Sequence, residues 1–251
     1  MATNWKEIET ILDISGGPVL LYGPPGTGKT TAGYRSLLRT NTNRASPYAI
    51  TLTDDTSVAE VIGMFVPNKD GGFSWHDGPA MRAWREGKGL LINEIALASG
   101  SVLTALYAIC DDAAVARLTL PNGETLQPTL GFRVIATMND EPNTLPDALK
   151  DRFAIRLHIT SPHPAALQEL EPHQAGFLNR VYEAAEITGK PEASLREYKA
   201  FLALNSTLHK ETAAAAVWGR RGHDVLSAME YGVRDEVEDC DCDSCKRSRE
   251  E

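Results

Sequence analysis

Short, nearly all-apolar runs alternate over the first 160 residues with stretches whose apolar positions recur at helical spacing. The runs Pro18 to Tyr22, Tyr48 to Leu52, Gly89 to Ile92, Arg133 to Thr137 and Phe153 to Ile159 are too short for helices. Their uniform apolarity predicts five strands buried on both faces. Strands interleaved with helices imply an α/β unit built on a mostly parallel five-stranded sheet. After Ser161-Pro162-His163-Pro164 the rhythm changes. Ala165 to Ala185, Ser194 to Leu204 and Thr212 to Met229 read as helices with no strand between them. Proline constrains itself and its predecessor and stops regular structure, so a boundary is expected near residue 161. The expected domains are an α/β domain over 1–160, a small all-helical domain over 161–232 and a tail over 233–251. No internal repeat is visible.

Composition narrows the class. With 251 residues, 42% hydrophobic and 24% charged, the chain fits one large or two small packed units and excludes collagen-like or wholly disordered classes. The formal charge of -9 removes any global basic field for holding nucleic acid, although Lys69, Arg82, Arg85 and Lys88 cluster locally among acids. From Asp235 to Glu251 eight carboxylates face Lys246, Arg247 and Arg249, a net of -5. Such a segment has little apolar surface to offset its ordering entropy and is expected to be disordered or an interaction tail. No apolar stretch suits export or membrane spanning, so the expected location is the cytoplasm. Four cysteines in a chain of this length do not make a disulfide framework. Cys240, Cys242 and Cys245 have zinc-compatible spacing, with His223 or a second chain as fourth ligand, against a default of a reduced, unstructured tail.

The most specific motif follows the first strand. Gly23-Pro24-Pro25-Gly26-Thr27-Gly28-Lys29-Thr30 fits G-x-x-x-x-G-K-[ST] between an apolar strand and a helical stretch. Glycines let successive backbone N–H groups face phosphate oxygens, and the helix N-terminus adds its dipole. Lys29 neutralises the outer phosphates, and the Thr30 hydroxyl suits magnesium. These residues predict an ATP or GTP cradle; the bland alternative is a glycine-rich turn that binds nothing.

A phosphate loop needs a second strand ending in groups for magnesium and for the attacking water. Gly89-Leu90-Leu91-Ile92-Asn93-Glu94-Ile95 supplies one, and here the chain resembles the AAA+ ATPases, especially the MoxR-like branch with its CbbQ, NorQ and GvpN relatives. That resemblance implies a P-loop AAA+ core followed by a helical lid, with ATP and Mg²⁺ as cofactors. The usual strand ending is Asp-Glu; here Asn93 stands at the magnesium position, with an amide but no charge. The resemblance makes Glu94 the catalytic carboxylate.

Gly131 to Asn139 is similar to the strand that ends beside the γ-phosphate, with Asn139 as sensor, although a strand-end Asn taken alone is more often a turn former. Leu145-Pro-Asp-Ala-Leu-Lys-Asp-Arg152-Phe is similar to the segment whose arginine reaches a neighbouring subunit's nucleotide, so Arg152 becomes the arginine finger rather than a surface ion pair. Ser194-Leu-Arg196 resembles the start of the sensor-2 helix, with Arg196 over the phosphates, although Ser194 and Glu197 also read as a helix capping box. Gly72 to Pro79 looks like the MoxR-like segment that opens the helix before the catalytic strand.

An arginine acting in trans implies a ring, in this family generally a homo-hexamer. Relatives remodel or activate a client, often beside a von Willebrand A-domain protein. Candidate client loops are Asp54 to Lys69 and Leu118 to Gln127, the latter a hairpin with Asn122-Gly123 at its turn. Phe65, Phe73 and Trp75 either grip a polypeptide or close a small satellite core. The rival expectations are a nucleic-acid-stimulated motor and a scaffold in which Asn93 has slowed hydrolysis.

Overall fold

In the computed structural model, which describes residues 4–41, 45–188, 191 and 193–229, the five apolar runs form one sheet. Helix α1 (Trp5–Ile14) leads to β1 (Val19–Tyr22), α2 (Lys29–Thr40), β2 (Tyr48–Thr51) and α3 (Val58–Ile62). A hairpin of β3 (Gly63–Pro67) and β4 (Phe73–Asp77) precedes α4 (Pro79–Glu86), β5 (Gly89–Asn93) and α5 (Gly100–Ile109). A second, shorter hairpin joins β6 (Leu118–Thr119) to β7 (Thr125–Leu126), and β8 (Arg133–Thr137), α6 (Asp147–Arg152) and β9 (Ile155–His158) complete the unit. The sheet order is β2-β5-β8-β1-β9, and every pairing in it is parallel.

The sheet separates two cores. Leu20, Leu90, Ile92, Val134 and Ala136 pack on one face with Met81, Trp84 and Leu106. Val19, Leu21, Leu91 and Ile135 pack on the other with Trp5, Leu12 and Leu37. Double-sided cover holds for β1, β5 and β8; the edge strands β2 and β9 instead alternate half-buried and exposed residues. Edge position explains the difference, since an edge strand carries cover mainly on its inward-facing positions.

Three stretches depart from the sequence expectation. The stretch read as a loop, Asp54 to Lys69, contains α3 and β3, and a full capping box between Ser57 and Glu60 starts that helix. The hairpin β3–β4 leaves Met64, Phe65 and Phe73 exposed, with Phe65 edge-on to Trp75. In the helical part, Ala165 to Ala185 is interrupted: α7 (Pro164–Leu167) ends and α8 (Pro172–Thr188) restarts at a proline, which suits a first helical turn. After α9 (Leu195–Asn205) and α10 (Lys210–Trp218), Gly219 at φ 58 breaks the expected third helix, and residues 222–229 are again helical.

The described residues divide into two compact units, one of residues 4–23 and 28–159, the other of residues 24–27 with those described between 160 and 229. The second has its own core, in which Phe177, Leu178, Tyr182, Tyr198, Phe201 and Trp218 pack together. No helix among the described residues is long and apolar enough to cross a membrane. The acidic tail with Cys240, Cys242 and Cys245 lies outside the described residues.

Candidate nucleotide site

In a parallel α/β sheet, ligands collect where strand C-termini meet the loops that leave them. β1 ends at Tyr22, and Gly23, Gly26 and Gly28 then take φ of 127°, 80° and 99°, conformations that only glycine adopts without strain. At Gly23 a side chain is also excluded by space, because a Cβ would stand 2.3 Å from the Ile159 carbonyl oxygen. These turns deliver Lys29 as the first residue of α2.

The Lys29 side chain is buried and folds back over the loop, donating to the Gly23 carbonyl at 2.7 Å and to Asn139 Oδ1 at 3.0 Å. Burial pushes its ammonium down to about 8, opposed by the Glu94 carboxylate. Such a group has much to gain from an incoming polyphosphate.

Next to it, Asn93 at the end of β5 is held by three threonines. Its Oδ1 accepts from Thr30 Oγ1 at 3.0 Å and from Thr137 Oγ1 at 3.1 Å, while its Nδ2 donates to Thr51 Oγ1 at 3.4 Å. Thr51 and Thr137 were not anticipated: Thr51 ends β2 opposite Asn93 in the parallel register, and Thr137 ends β8. A polar residue at the C-terminal end of a buried strand is the only sequence trace of either.

Glu94 is the one non-glycine residue at positive φ among the described residues, at φ 54° and ψ 47°. That conformation costs a side-chain-bearing residue about 1–3 kcal/mol and persists only where its surroundings impose it. Here Asn139 Nδ2 donates to Glu94 Oε1 at 2.9 Å. Lys29, Asn139 and Glu94 therefore form one hydrogen-bonded set and Thr30 and Asn93 another, side by side because Lys29 and Thr30, like Asn93 and Glu94, are chain neighbours.

Pro24, Pro25, Gly26 and Thr27, the crown of the loop, belong with the helical unit. Thr27 is fully buried and donates to the Pro24 carbonyl at 3.2 Å, and its own carbonyl accepts from the His163 N–H at 3.1 Å. Within the same unit Arg196 is the second residue of α9 and is exposed, and the Ser194–Glu197 capping box is complete.

The structure does not bring Arg152 to the cluster. Its Nε donates to the Tyr107 carbonyl at 2.6 Å, Nη1 to the Ala148 carbonyl at 2.7 Å, and Nη2 lies 3.3 Å from Asp111 Oδ2. It lines a cavity of about 440 Å³ with Gly16, Pro18, Asp111 and Arg133. Gly16 and Pro18 precede β1 and Arg133 opens β8, so this cavity sits at the strand N-termini, the sheet edge opposite Lys29 and Asn93.

The basic cluster of the α4 region is largely engaged within the chain. Arg85 is clamped by Asp77 at 2.5 Å and by Glu124 at 2.6 Å, Lys88 pairs with Glu86 at 2.5 Å, and Arg82 lies over the Tyr48 ring. His223 is exposed, and among the described residues no group of three His, Cys, Asp or Glu is placed to hold a metal ion.

A parallel sheet whose first strand opens into a glycine-rich loop, with a strand-end Asn93-Glu94 and Asn139 bonded to both Lys29 and Glu94, defines the core of an AAA+ ATPase. The chain belongs to the family described as AAA domain (dynein-related subfamily), which matches residues 18–153. It is 32% identical to protein NorQ of Paracoccus denitrificans over 72% of this chain and 68% of that protein. It is also 32% identical to denitrification regulatory protein NirQ of Pseudomonas aeruginosa, over 61% of this chain and 58% of NirQ. Among solved structures, a candidate ATPase from Cytophaga hutchinsonii covers 67% of the chain with TM-score 0.50 and 24% identity. NtrX from Brucella abortus covers 90% with TM-score 0.52 and 14% identity. These two likenesses concern the fold alone, and the matches span 50% and 47% of those chains. The protein is thus an AAA+ ATPase of the NorQ/NirQ, MoxR-like type, with the nucleotide-binding core of that family.

Proposed function

We propose that this chain works as a ring-forming, cytoplasmic ATPase, a homo-hexamer in the first instance, that couples Mg²⁺-dependent ATP hydrolysis to remodelling or activation of a partner protein. The observation that carries this reading is the convergence of Lys29, Thr30, Asn93, Glu94 and Asn139 at one end of the sheet. Gly23 to Gly28 would wrap the β-phosphate with backbone N–H groups, and Lys29 would neutralise the outer phosphates. Glu94 would accept a hydrogen bond from the attacking water and draw its proton, with Asn139 holding both Glu94 and the γ-phosphate in line. Positioning of this kind is the main protein contribution to phosphoryl transfer.

Magnesium fits the donor set in kind, since the Thr30 hydroxyl and the Asn93 amide oxygen are hard oxygen ligands 3.0 Å apart. When bound, the ion supplies charge neutralisation on the phosphates. Both protein ligands are neutral, so affinity for the ion would rest on the nucleotide. Asn93→Asp restores a charge at that point, and the expected result is a several-fold lower Mg²⁺ requirement with turnover equal to or faster than the parent. A slower Asn93→Asp enzyme in a phosphate-release assay contradicts this role for Asn93. The same neutral amide favours one second reading, a slowly hydrolysing scaffold assembled by ATP, which would show rings on ATP with turnover near background.

Arg152 would serve as the finger for a neighbouring copy, a role supported by its place at the sheet edge away from its own Lys29. Its bonds to Tyr107, Ala148 and Asp111 would hold it until a neighbour's phosphates compete for the guanidinium. Arg152→Ala is expected to lower turnover by about 10³ to 10⁵, the range for such fingers. Mixing it with Glu94→Gln subunits should restore part of the activity, because some mixed interfaces pair an intact Glu94 with an intact Arg152. Absence of rescue at every mixing ratio rules out action in trans.

The partner would meet the β3–β4 and β6–β7 hairpins, which Arg85 ties to α4 through Asp77 and Glu124. A von Willebrand A-domain protein is the client class implied by the branch. Capture from lysate on the ATP-loaded Glu94→Gln protein would identify it. Nucleic acid is the less favoured partner because Arg85 and Lys88 are already paired with carboxylates.

A further inference from the structure

The two hairpins stand apart from the five-stranded sheet, each as a separate two-stranded sheet. β3–β4 has five residues per strand and β6–β7 only two. A lone hairpin is marginally stable in water, so the order of these two depends on the elements they lean on. Arg85, in the last turn of α4, bonds to both. Its Nε donates to Asp77 Oδ2 at 2.5 Å, and its Nη1 and Nη2 donate to Glu124 Oε1 and Oε2 at 2.8 and 2.6 Å. Asp77 ends β4, and Glu124 stands immediately before β7 in the turn of the second hairpin.

Each carboxylate is fixed within its own hairpin. Asp77 Oδ1 accepts from Trp75 Nε1 at 2.7 Å, and Trp75 sits edge-on to Phe65, its partner across the β3–β4 register. The Glu124 N–H donates to Asn122 Oδ1 at 3.0 Å, and the Glu124 carbonyl accepts from the Leu120 N–H at 2.8 Å. The chain leaving β7 is tied to the same helix end, because Thr129 donates through its N–H to the Trp84 carbonyl at 2.8 Å and through Oγ1 to the Arg85 carbonyl at 3.1 Å. An exposed ion pair taken alone stabilises little. Arg85 differs because its planar guanidinium must hold one orientation to meet both carboxylates, and its fork meets Glu124 with two parallel bonds. The Asp77 side chain is only 17% exposed, so its charge depends on that cation more than a fully hydrated carboxylate would.

A guanidinium oriented by one carboxylate is presented in register to the other. We infer that Arg85 is a positioning residue that couples the two hairpins: order imposed on either one passes through the guanidinium to the other, so a partner that docks on β3–β4 meets β6–β7 already set. No helix has to move for this, since a group whose motion is already restricted costs less to order again. The partner's footprint then spans both hairpins. For its use the inference rests on the reading of the hairpins as the partner surface, whereas the link itself belongs to the free chain.

Hydrogen exchange on the full chain, without partner or nucleotide, reads the link directly. Glu124→Gln removes a charge on the β6–β7 side alone, and Asp77→Asn removes one on the β4 side alone. Each keeps the size of the side chain and an oxygen acceptor. Glu124→Gln is expected to speed amide exchange in β3–β4 about fivefold, the low end for coupled sites, and Asp77→Asn to do the same in β6–β7, because coupling is reciprocal. Amides of β8 should exchange at the parent rate in both. Once Asp77→Asn has cut the link, adding Glu124→Gln should leave β3–β4 exchange where the single variant put it, since two changes in one path are non-additive.

An increase confined to the altered hairpin in either variant, an equal increase in β8, or a further rise in β3–β4 in the double variant each overturns the coupling. Since no partner enters the measurement, such a result leaves the partner surface standing. A partner whose binding protects neither hairpin from exchange overturns that surface and the use proposed for the link, while reciprocal effects in the free chain uphold the link itself.

Discussion

Glu94→Gln lowers ATP turnover by two orders of magnitude or more at saturating nucleotide, with the affinity for ATP within a few-fold of the parent. The argument starts from the backbone. Glu94 is held in the left-handed region, where a residue with a side chain is strained, and its carboxylate is fixed by the Asn139 amide at 2.9 Å. Glutamine keeps the size and a carbonyl that still accepts from Asn139, so the fold and the loop are untouched. What is lost is the negative charge that draws a proton from water, and that charge matters only as the γ-phosphoryl group leaves. Single-turnover phosphate release and equilibrium nucleotide binding, measured on the same preparation, separate the two effects. Equal loss of binding and turnover would assign Glu94 to ground-state binding instead.

Lys29→Met removes nucleotide binding, with an expected loss in affinity of at least 100-fold, and leaves the thermal midpoint of the nucleotide-free protein unchanged or higher. Both halves follow from burial. The ammonium is held out of water against the Gly23 carbonyl and the Asn139 amide, and its pKa is pushed down to about 8. A buried cation costs the free protein something that a methionine of similar length does not. Phosphates reverse that cost by favouring the charged form. The pH dependence then has a definite sign. In the free protein Lys29 loses its proton as pH rises through about 8, while the bound triphosphate holds the proton on to a higher pH. Binding above pH 8 must take up a proton, so ATP affinity falls with rising pH, by up to about tenfold per unit until the bound form also titrates. Below pH 8 this group contributes no slope. Isothermal titration in buffers of different ionisation enthalpy reads the proton uptake directly, and its absence at pH 9 contradicts the assignment.

The parts of the site that could be read in the sequence are those defined by a local pattern with a local cause. Three glycines at fixed spacing carry the positive φ angles of the loop, Lys29 and Thr30 follow by register, and Asn93-Glu94 and Asn139 stand immediately after apolar runs that could only be strands. The partners of Asn93 could not be read, because Thr51 and Thr137 reach it through strand order, and a parallel sheet pairs strands far apart in sequence. Tyr182, whose hydroxyl donates to the Pro25 carbonyl at 2.8 Å, was hidden for a different reason: on a helix with a mixed apolar face, a core tyrosine looks the same whether or not its hydroxyl serves a distant carbonyl. The β3–β4 hairpin was missed because its exposed aromatics and paired glycines at 71 and 72 resemble a loop. Gly63 at φ 128°, where a Cβ would stand 2.3 Å from the His76 carbonyl oxygen, marks where it closes.

Arg152 shows the limit of motif reading from the other side. The segment Leu145 to Phe153 identifies the residue, yet its three hydrogen-bond partners, from α5, α6 and the loop holding Asp111, lie within the same chain. A motif describes the chemistry a residue can perform, whereas the bonds it keeps in one copy describe what a neighbouring phosphate has to displace.

The central claim is that the loop after β1 binds ATP and that Glu94 drives its hydrolysis. Equilibrium titration of the purified chain with a fluorescent ATP analogue and Mg²⁺, repeated on Lys29→Met and Glu94→Gln, tests it most directly. Saturable binding by the parent and by Glu94→Gln, with none by Lys29→Met, is the predicted result. Binding that never saturates in the parent, or that persists unchanged in Lys29→Met, contradicts it.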